Sequence, residues 1–459
     1  MDKAVFLRQL HDALGREQVL SDPSDCCVYG YDNSRQQAPA DAVVFATDIA
    51  QLQTLVGLCR QHRMPLIPRG RGTGTTGATV PVGGGVVVSF ERYDQVLTFA
   101  PDDRLLEVQV GITNQTVQDV AATQGFFWPP DPTSAAYCSV GGNLAYNSAG
   151  PRAVKYGTTR DNTLGLVVVT GTGEILRTGV KTSKGVVGYD LTRLFIGSEG
   201  TLGLLVEASL KLTPLPQSKR TLQAIYTSIE GAARAVSRIM AQPVIPHALE
   251  FMDRRAIAMI RGYADIDLPQ QADALLMIEV DGSNASIDAD SKAILAAADG
   301  DDCLTITLAG TPAEVEALWA TRKALSPALR TIAPKKINED VVVPVSRIPS
   351  LIKGLEELST RYGIPIVNFG HAGNGNIHVN LLINPDDPRE MQAAHACLDE
   401  VFALVLSLQG TLSGEHGIGL VKREFVGREL DDTALGVMHR IKQQFDPDGI
   451  LNPGKTLPD

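Results

Sequence analysis

The chain has 459 residues, 44% hydrophobic and 20% charged, a composition ordinary for a globular protein of two or three domains. Its net charge of −11, from 41 basic and 52 acidic residues, argues against a nonspecific nucleic-acid binder or a basic membrane-surface protein. No apolar run approaches the about 18 residues of a membrane span, and 6 cysteines without C-x-x-C spacing read as reduced thiols of a cytoplasmic protein.

The first residues, Met1-Asp-Lys-Ala-Val-Phe-Leu-Arg-Gln-Leu10, predict an amphipathic helix start without the apolar core of a signal peptide. Residues 43–46 predict a short buried strand. Residues 48–63 predict a helix with Ile49, Leu52, Leu55, Val56 and Cys59 on one face. Pro65–Pro68 runs extended into a glycine-rich loop, and strands follow at 85–89 and 105–110. A helix is expected over 114–124. A hairpin is expected from 164–170 through Gly171-Thr-Gly173 to 174–177. The strand 203–213 ends before Pro214 and Pro216, the best domain boundary. Helical patterns at about 228–241, 312–329, 348–362 and 387–408 then alternate with strands such as 274–281 and 340–343, which suggests a second α+β domain. One more helix, 433–445, precedes a rigid turn over 446–454.

Within the loop Pro68-Arg-Gly-Arg-Gly-Thr-Gly-Thr-Thr-Gly77, the spacing Gly72-x-Gly74-x-x-Gly77 formally matches a dinucleotide fingerprint. A Rossmann loop must open a helix, and here Pro81 and Gly83-Gly-Gly85 forbid one of useful length. The loop is instead suited to present successive backbone N–H groups as an anion nest for a pyrophosphate. A second small-residue stretch, Asp131 to Thr159, includes Ser139, Gly141, Gly142, Asn143, Asn147 and Gly150, and lets backbone approach a ligand closely.

Three of the 8 histidines sit in Gly370-His371-Ala-Gly-Asn-Gly-Asn-Ile-His378-Val-Asn380 and Gly414-Glu415-His416-Gly417. If 377–383 is a strand, His378 and Asn380 share a face. His371 is seven residues earlier, and Gly373 and Gly375 allow the chain to fold back so that both rings reach one ion. Glu415 would complete three protein ligands with positions left for substrate, and His416 is the candidate base. Such donors accept Zn²⁺, Mn²⁺ or Fe²⁺.

The two glycine segments, in this order, together with Gly197-Ser-Glu-Gly-Thr-Leu-Gly203 before a strand, resemble the FAD-binding domain of the vanillyl-alcohol oxidase / p-cresol methylhydroxylase superfamily. The segments around His371 and His378, Gly414–Gly419 and Gly449–Lys455 resemble its D-2-hydroxyacid dehydrogenases. These act on D-2-hydroxyglutarate, D-lactate or glycolate.

That resemblance implies an α+β architecture. A two-part FAD-binding domain would span 1–215, an α+β cap with an antiparallel sheet 216–410, and a segment returning to the flavin 411–459. It also implies roles. Pro68, Arg69, Gly70, Arg71, Gly72, Thr73, Gly74, Thr75 and Gly77 would hold the FAD pyrophosphate. Pro132, Thr133, Ser139, Gly142, Asn143 and Asn147 would line the flavin and ribityl chain. Glu199 and Gly200 would lie near the adenine half or pyrophosphate, and Asn452 near the isoalloxazine. The first loop has no histidine, so noncovalent FAD is expected. The family also points to His371, His378 and Glu415 around a Zn²⁺-like ion. Arg322 would clamp a substrate carboxylate.

Four residues beyond Arg322, Ser326 matches the small hydroxyl residue of the D-2-hydroxyglutarate enzymes rather than the aromatic of the D-lactate and glycolate enzymes. The lysine those hydroxyglutarate enzymes carry before the next strand falls on Asn338 here, with Lys336 two residues earlier. Asn380 completes the candidate substrate set. The expected reaction is oxidation of D-2-hydroxyglutarate to 2-oxoglutarate. D-lactate dehydrogenase or a glycolate-type oxidase subunit is the alternative. A metal-dependent hydrolase and a noncatalytic flavoprotein are the competing classes. Electrons would pass to an external acceptor, an electron-transfer flavoprotein or a quinone. A homodimer is one candidate assembly.

Overall fold

The computed structural model describes residues 3–263 and 268–458, and side chains at 263, 323, 326, 327 and 330 lie outside that description. The chain divides into two compact units. The first is Met1–Gly150, Gly157–Leu215 and Glu415–Asp459, and the second is Pro151–Tyr156 and Pro216–Gly414. These bounds differ from the expected ones in two places. Six residues, Pro151–Tyr156, leave the middle of the glycine-rich stretch to join the second unit, and the return to the first unit begins at Glu415 rather than at 411.

Beside a short antiparallel pair, Phe126–Phe127 with Thr213–Pro214, the first unit holds two principal sheets. The smaller contains β1 (Ala42–Phe45), β2 (Leu66–Arg69) and β3 (Val86–Ser89), with β3 central and parallel to both, and Val19–Leu20 added antiparallel at the edge. Helix α1 (Ile49–His62) makes the crossover between β1 and β2. It starts where the Asp48 carboxylate accepts the Gln51 N–H at 2.8 Å and stops where Arg63 turns left-handed at φ 51°. The larger sheet is antiparallel. With β4 (Val96–Ala100), β5 (Leu105–Gln109), β6 (Thr163–Thr170), β7 (Ile175–Gly179) and β8 (Gly203–Lys211), its order is β4-β5-β8-β6-β7. One buried cluster joins both sheets, including Leu52, Val88, Leu106, Val168 and Leu204. A seven-residue helix, α2 (Val140–Tyr146), follows the second glycine segment's Ser139.

The second unit is built on a seven-stranded antiparallel sheet. Its strands are β9 (Ser218–Tyr226), β10 (Ala248–Asp253), β11 (Ala274–Gly282), β12 (Cys303–Leu308), β13 (Lys335–Val342), β14 (Ile366–His371) and β15 (Asn376–Ile383), in the order β12-β9-β11-β10-β14-β15-β13. The strand expected at 340–343 begins five residues earlier, at Lys335, because it pairs residue for residue with β15. Helix α3 (Pro312–Ile332) opens with a full capping box, Thr311 with Glu314, and Pro312 in its first turn. It covers one face of the sheet through Leu325, Leu329 and Trp319, packed among Met252, Met277 and Phe369.

Candidate active site

In the first unit, a cleft with about 520 Å³ of empty volume is lined by Pro68, Arg69, Gly70, Ser139, Gly142, Glu199 and Gly200, all expected there. The rest of the wall includes Ala78, Thr79, Phe90, Val110, Tyr146 and Leu205. Ala78 and Thr79 directly follow the first glycine loop and Tyr146 lies in the second small-residue stretch, whereas Phe90, Val110 and Leu205 carry no local motif that would have marked them. The wall is close-built. A Cβ on Gly70 would lie 2.3 Å from Ser139 Oγ, and Gly200, at φ +73°, would push one to 2.3 Å from Pro68 Cγ. At Gly200 the left-handed backbone and the Pro68 ring together call for glycine, and at Gly70 a side chain would displace the Ser139 hydroxyl.

The two glycine segments do different work. The start of α2 is a wall rather than an anion site. Its N–H groups at Val140, Gly141 and Gly142 are already taken by Ile112 O, Val110 O and Ser139 Oγ. In the first loop the N–H groups of residues 71–75 donate to no acceptor among the described residues, whereas the Gly77 N–H is held by Asp32 Oδ2 at 2.9 Å. Five consecutive unengaged donors beside a cleft fit the phosphates of FAD.

Other expected flavin residues act as braces. Arg69 is buried, with its Nη1 on Tyr31 O at 2.7 Å. The carbonyls of Thr73 and Gly74 accept from Asn33, and Arg71 reaches Glu91 O at 3.5 Å. Asn147 ends α2 at φ 54° and its Oδ1 accepts the Arg160 N–H at 2.9 Å. Asn143 is buried, and its Nδ2 has no acceptor among the described residues. Pro132 turns the chain by accepting the Ala135 N–H, and Thr133 is exposed beside it. Glu199, buried and raised in pKa by that burial, accepts the Ile418 and Gly419 N–H groups at 2.6 and 2.7 Å. It latches the returning segment that also carries Asn452, whose Nδ2 donates to Ala78 O and Glu199 O. His416 lies two residues before the first of those latched amides.

In the second unit the histidines sit on a hairpin. β14 and β15 pair with His371 opposite Asn376 and Phe369 opposite His378. Residues directly opposite in antiparallel strands share a face. The turn at Ala372–Asn374 therefore cancels the odd spacing, and the two rings stand 5.2 Å apart, centroid to centroid, nearly perpendicular. Across β13 the register sets Asp340 opposite His378, Asn338 opposite Asn380 and Lys336 opposite Leu382, so these side chains share the histidine face. Asn338 Nδ2 donates to Asn380 Oδ1 at 2.6 Å, and Asn380, fully buried, donates to Val367 O and His378 O. Lys336 is exposed at the far end of that row. Asp340 takes the Ser413 Oγ and Gly414 N–H at 3.0 and 2.9 Å, one residue before Glu415.

Sequence reasoning missed Glu250. It lies on β10 opposite His371, fully buried, with Oε1 2.5 Å from His371 Nδ1 and Oε2 accepting the Arg322 Nε–H at 2.9 Å. Burial alone would raise its pKa, but His371 and Arg322 hold it well below the usual carboxylate range. The Arg322 guanidinium stands 5.0 Å over the Phe369 ring. Nothing local marks Glu250, since its role depends on strand pairing across 121 residues. Ser326 follows Arg322 by one turn of α3, and its side chain lies outside the described residues. A hydrogen bond from His371 Nδ1 to a carboxylate fixes the lone pair on Nε2, the usual arrangement of a metal-binding histidine. That imidazole and the neighbouring one of His378 are nitrogen donors of the kind that suit a divalent ion.

Two family models cover the chain: an FAD binding domain over residues 40–179, and the C-terminal domain of FAD linked oxidases over residues 215–456. A glycolate oxidase subunit GlcD of Bacillus subtilis (strain 168) is 39% identical over 98% of this chain and 96% of its own length. A D-2-hydroxyglutarate dehydrogenase of Stutzerimonas stutzeri (strain A1501) is 33% identical over the whole of both chains. A solved structure of p-cresol methylhydroxylase with substrate bound matches the fold with a TM-score of 0.80, at 17% identity over 99% of this chain and 97% of that one. The chain therefore belongs to the FAD-linked oxidases, FAD-dependent oxidoreductases whose relatives are named as oxidases and dehydrogenases of hydroxy acids, and it shares the fold of p-cresol methylhydroxylase.

Proposed function

We propose that this protein catalyses metal-assisted oxidation of a D-2-hydroxy acid to the 2-oxo acid, with D-2-hydroxyglutarate as substrate and an external electron acceptor, an electron-transfer flavoprotein or a quinone. The observation that carries the reading is the pair of imidazoles on one sheet face, that of His371 tied through Glu250 to Arg322. His371, His378 and Glu415 are the proposed ligands of a Zn²⁺-like ion. Glu415 is one peptide bond from Gly414, which Asp340 anchors on the strand beside His378. When bound, such an ion acidifies a ligated hydroxyl, and noncovalent FAD supplies the hydride acceptor. The protein's own part is orientation and proton transfer. Arg322 pairs with the substrate carboxylate. His416 takes the proton from the 2-hydroxyl, help typically worth about 10²–10⁴ in rate.

Two features favour the five-carbon acid. Ser326, four residues beyond Arg322 in the sequence, is the small hydroxyl residue that the hydroxyglutarate enzymes carry there. Lys336 is four residues along β13 from the partner of His378, about 13 Å of strand, with a four-carbon stem that can reach back toward a distal carboxylate. Against this, Asn338 stands where the hydroxyglutarate enzymes have lysine and is already paired with Asn380. Together with the Bacillus subtilis relative, that supports a second reading in which the substrate is glycolate or D-lactate.

Comparing kcat/KM for D-2-hydroxyglutarate, D-lactate and glycolate separates the two. On the first reading hydroxyglutarate is preferred, and Ser326→Trp depresses it by orders of magnitude while sparing D-lactate. A wild-type preference for D-lactate or glycolate, or an equal loss on both substrates in the variant, refutes that reading.

A further inference from the structure

We infer that Glu250 is a positioning residue that sets the metal ligand His371 and the substrate-binding Arg322 at once, an inference that rests on the functional reading above. Its two carboxylate oxygens are divided between them, Oε1 at 2.5 Å from His371 Nδ1 and Oε2 at 2.9 Å from Arg322 Nε. The register holds this in place, because Glu250 and His371 are direct partners across β10 and β14. The strand fixes one end of the carboxylate's reach, while Arg322 comes to it from a different element, α3.

Each contact has a chemical consequence. A carboxylate on Nδ1 keeps the His371 proton there, so Nε2 presents its lone pair and the imidazole is a stronger donor. The contact to Nε holds the guanidinium by one edge while Phe369 lies beneath it, which turns the two Nη groups to act as the carboxylate fork. One buried carboxylate therefore makes metal affinity and substrate affinity interdependent. A merely structural ion pair would not do so. Buried pairs of that kind are often replaceable without loss of other function.

The test uses the full-length, flavin-loaded enzyme. Glu250→Gln keeps the shape but turns an N–H toward one of its two partners, each of which donates to it. Expected are a 10–100-fold loss of Zn²⁺ affinity by chelator competition and a raised KM. The KM change should be non-additive with Arg322→Lys in a double-mutant cycle. If Glu250→Gln does not accumulate folded protein, Glu250→Asp serves. It retains the charge but withdraws it by one methylene, and the same two losses should appear in milder form.

Wild-type Zn²⁺ affinity and additive KM effects in a Glu250 variant, with the metal lost from His371→Ala, would overturn the inference while leaving the metal site standing. Metal retained by His371→Ala would instead overturn the reading of the site and the inference with it.

Discussion

Single side chains shape the cleft proposed for the flavin. Gly70 sits where any Cβ would strike Ser139 Oγ at 2.3 Å, and the atoms that would have to move belong to the cleft wall itself. Gly70→Ala should therefore yield folded protein with at least tenfold less bound FAD, read from the absorbance of the purified chain. Full flavin content in that variant would remove the loop from the cofactor site. The same loop has no histidine, and acid precipitation of the wild type should leave FAD in the supernatant; flavin in the pellet would mean a covalent link elsewhere. Lys455, buried under Ala78 and Val80 carbonyls, shows a different residue-scale effect. Burial lowers its ammonium to about 8 from 10.5, although Glu199 and Asp32 pull the other way. In that window the unfolded chain binds more protons than the folded one, so this group makes stability rise as pH climbs from about 8 toward 10.5. The urea midpoint of Lys455→Met, compared with wild type at pH 8 and pH 10, should lack that contribution. An identical pH response in both proteins would mean that the amine titrates normally.

At the scale of elements, the histidine hairpin shows what the sequence made legible and what it did not. The glycines at 373 and 375 and the alternation in 377–383 were enough to expect the fold-back that sets His371 and His378 on one face. Long amphipathic helices were equally legible, because a 3.6-residue period is a local signal. The strands β9, β10 and β14 were not read. They are buried along most of their length yet mix polar with apolar residues, such as Gln223 in β9, Glu250 in β10 and Asn368 in β14, so no regular alternation marks them. With them went Glu250, whose meaning exists only once β10 lies beside β14. The excursion Pro151–Tyr156 was hidden for a similar reason. It leaves a stretch that reads as one flavin motif, and what draws it away is a buried partner, Asp281, which accepts from Tyr156 Oη at 2.8 Å and pairs with Lys155. The hairpin also makes a direct prediction. His371→Ala and His378→Ala should each lose bound divalent metal and most turnover yet keep FAD, because the cleft proposed for the flavin is lined by residues of the other unit. Metal analysis that finds normal content in both variants would dismiss them as ligands.

Over the whole molecule, two compact units have separate chemistry. One presents a cleft and five unengaged backbone donors suited to FAD. The other presents imidazole, carboxylate and guanidinium groups suited to a metal-bound hydroxy acid. The chain passes between them four times, at 150/151, 156/157, 215/216 and 414/415, and the last crossing joins the Asp340-anchored Gly414 directly to Glu415 and His416. The proposal that flavin and metal serve one oxidation is tested most directly by anaerobic mixing of the flavin-loaded enzyme with 2-hydroxy acids. D-2-hydroxyglutarate should bleach the flavin, its L-enantiomer should not, and prior removal of the metal by a chelator should abolish bleaching until a divalent ion is restored. A flavin that stays oxidised with every D-2-hydroxy acid, or one that is reduced equally well after the metal is removed, would contradict it.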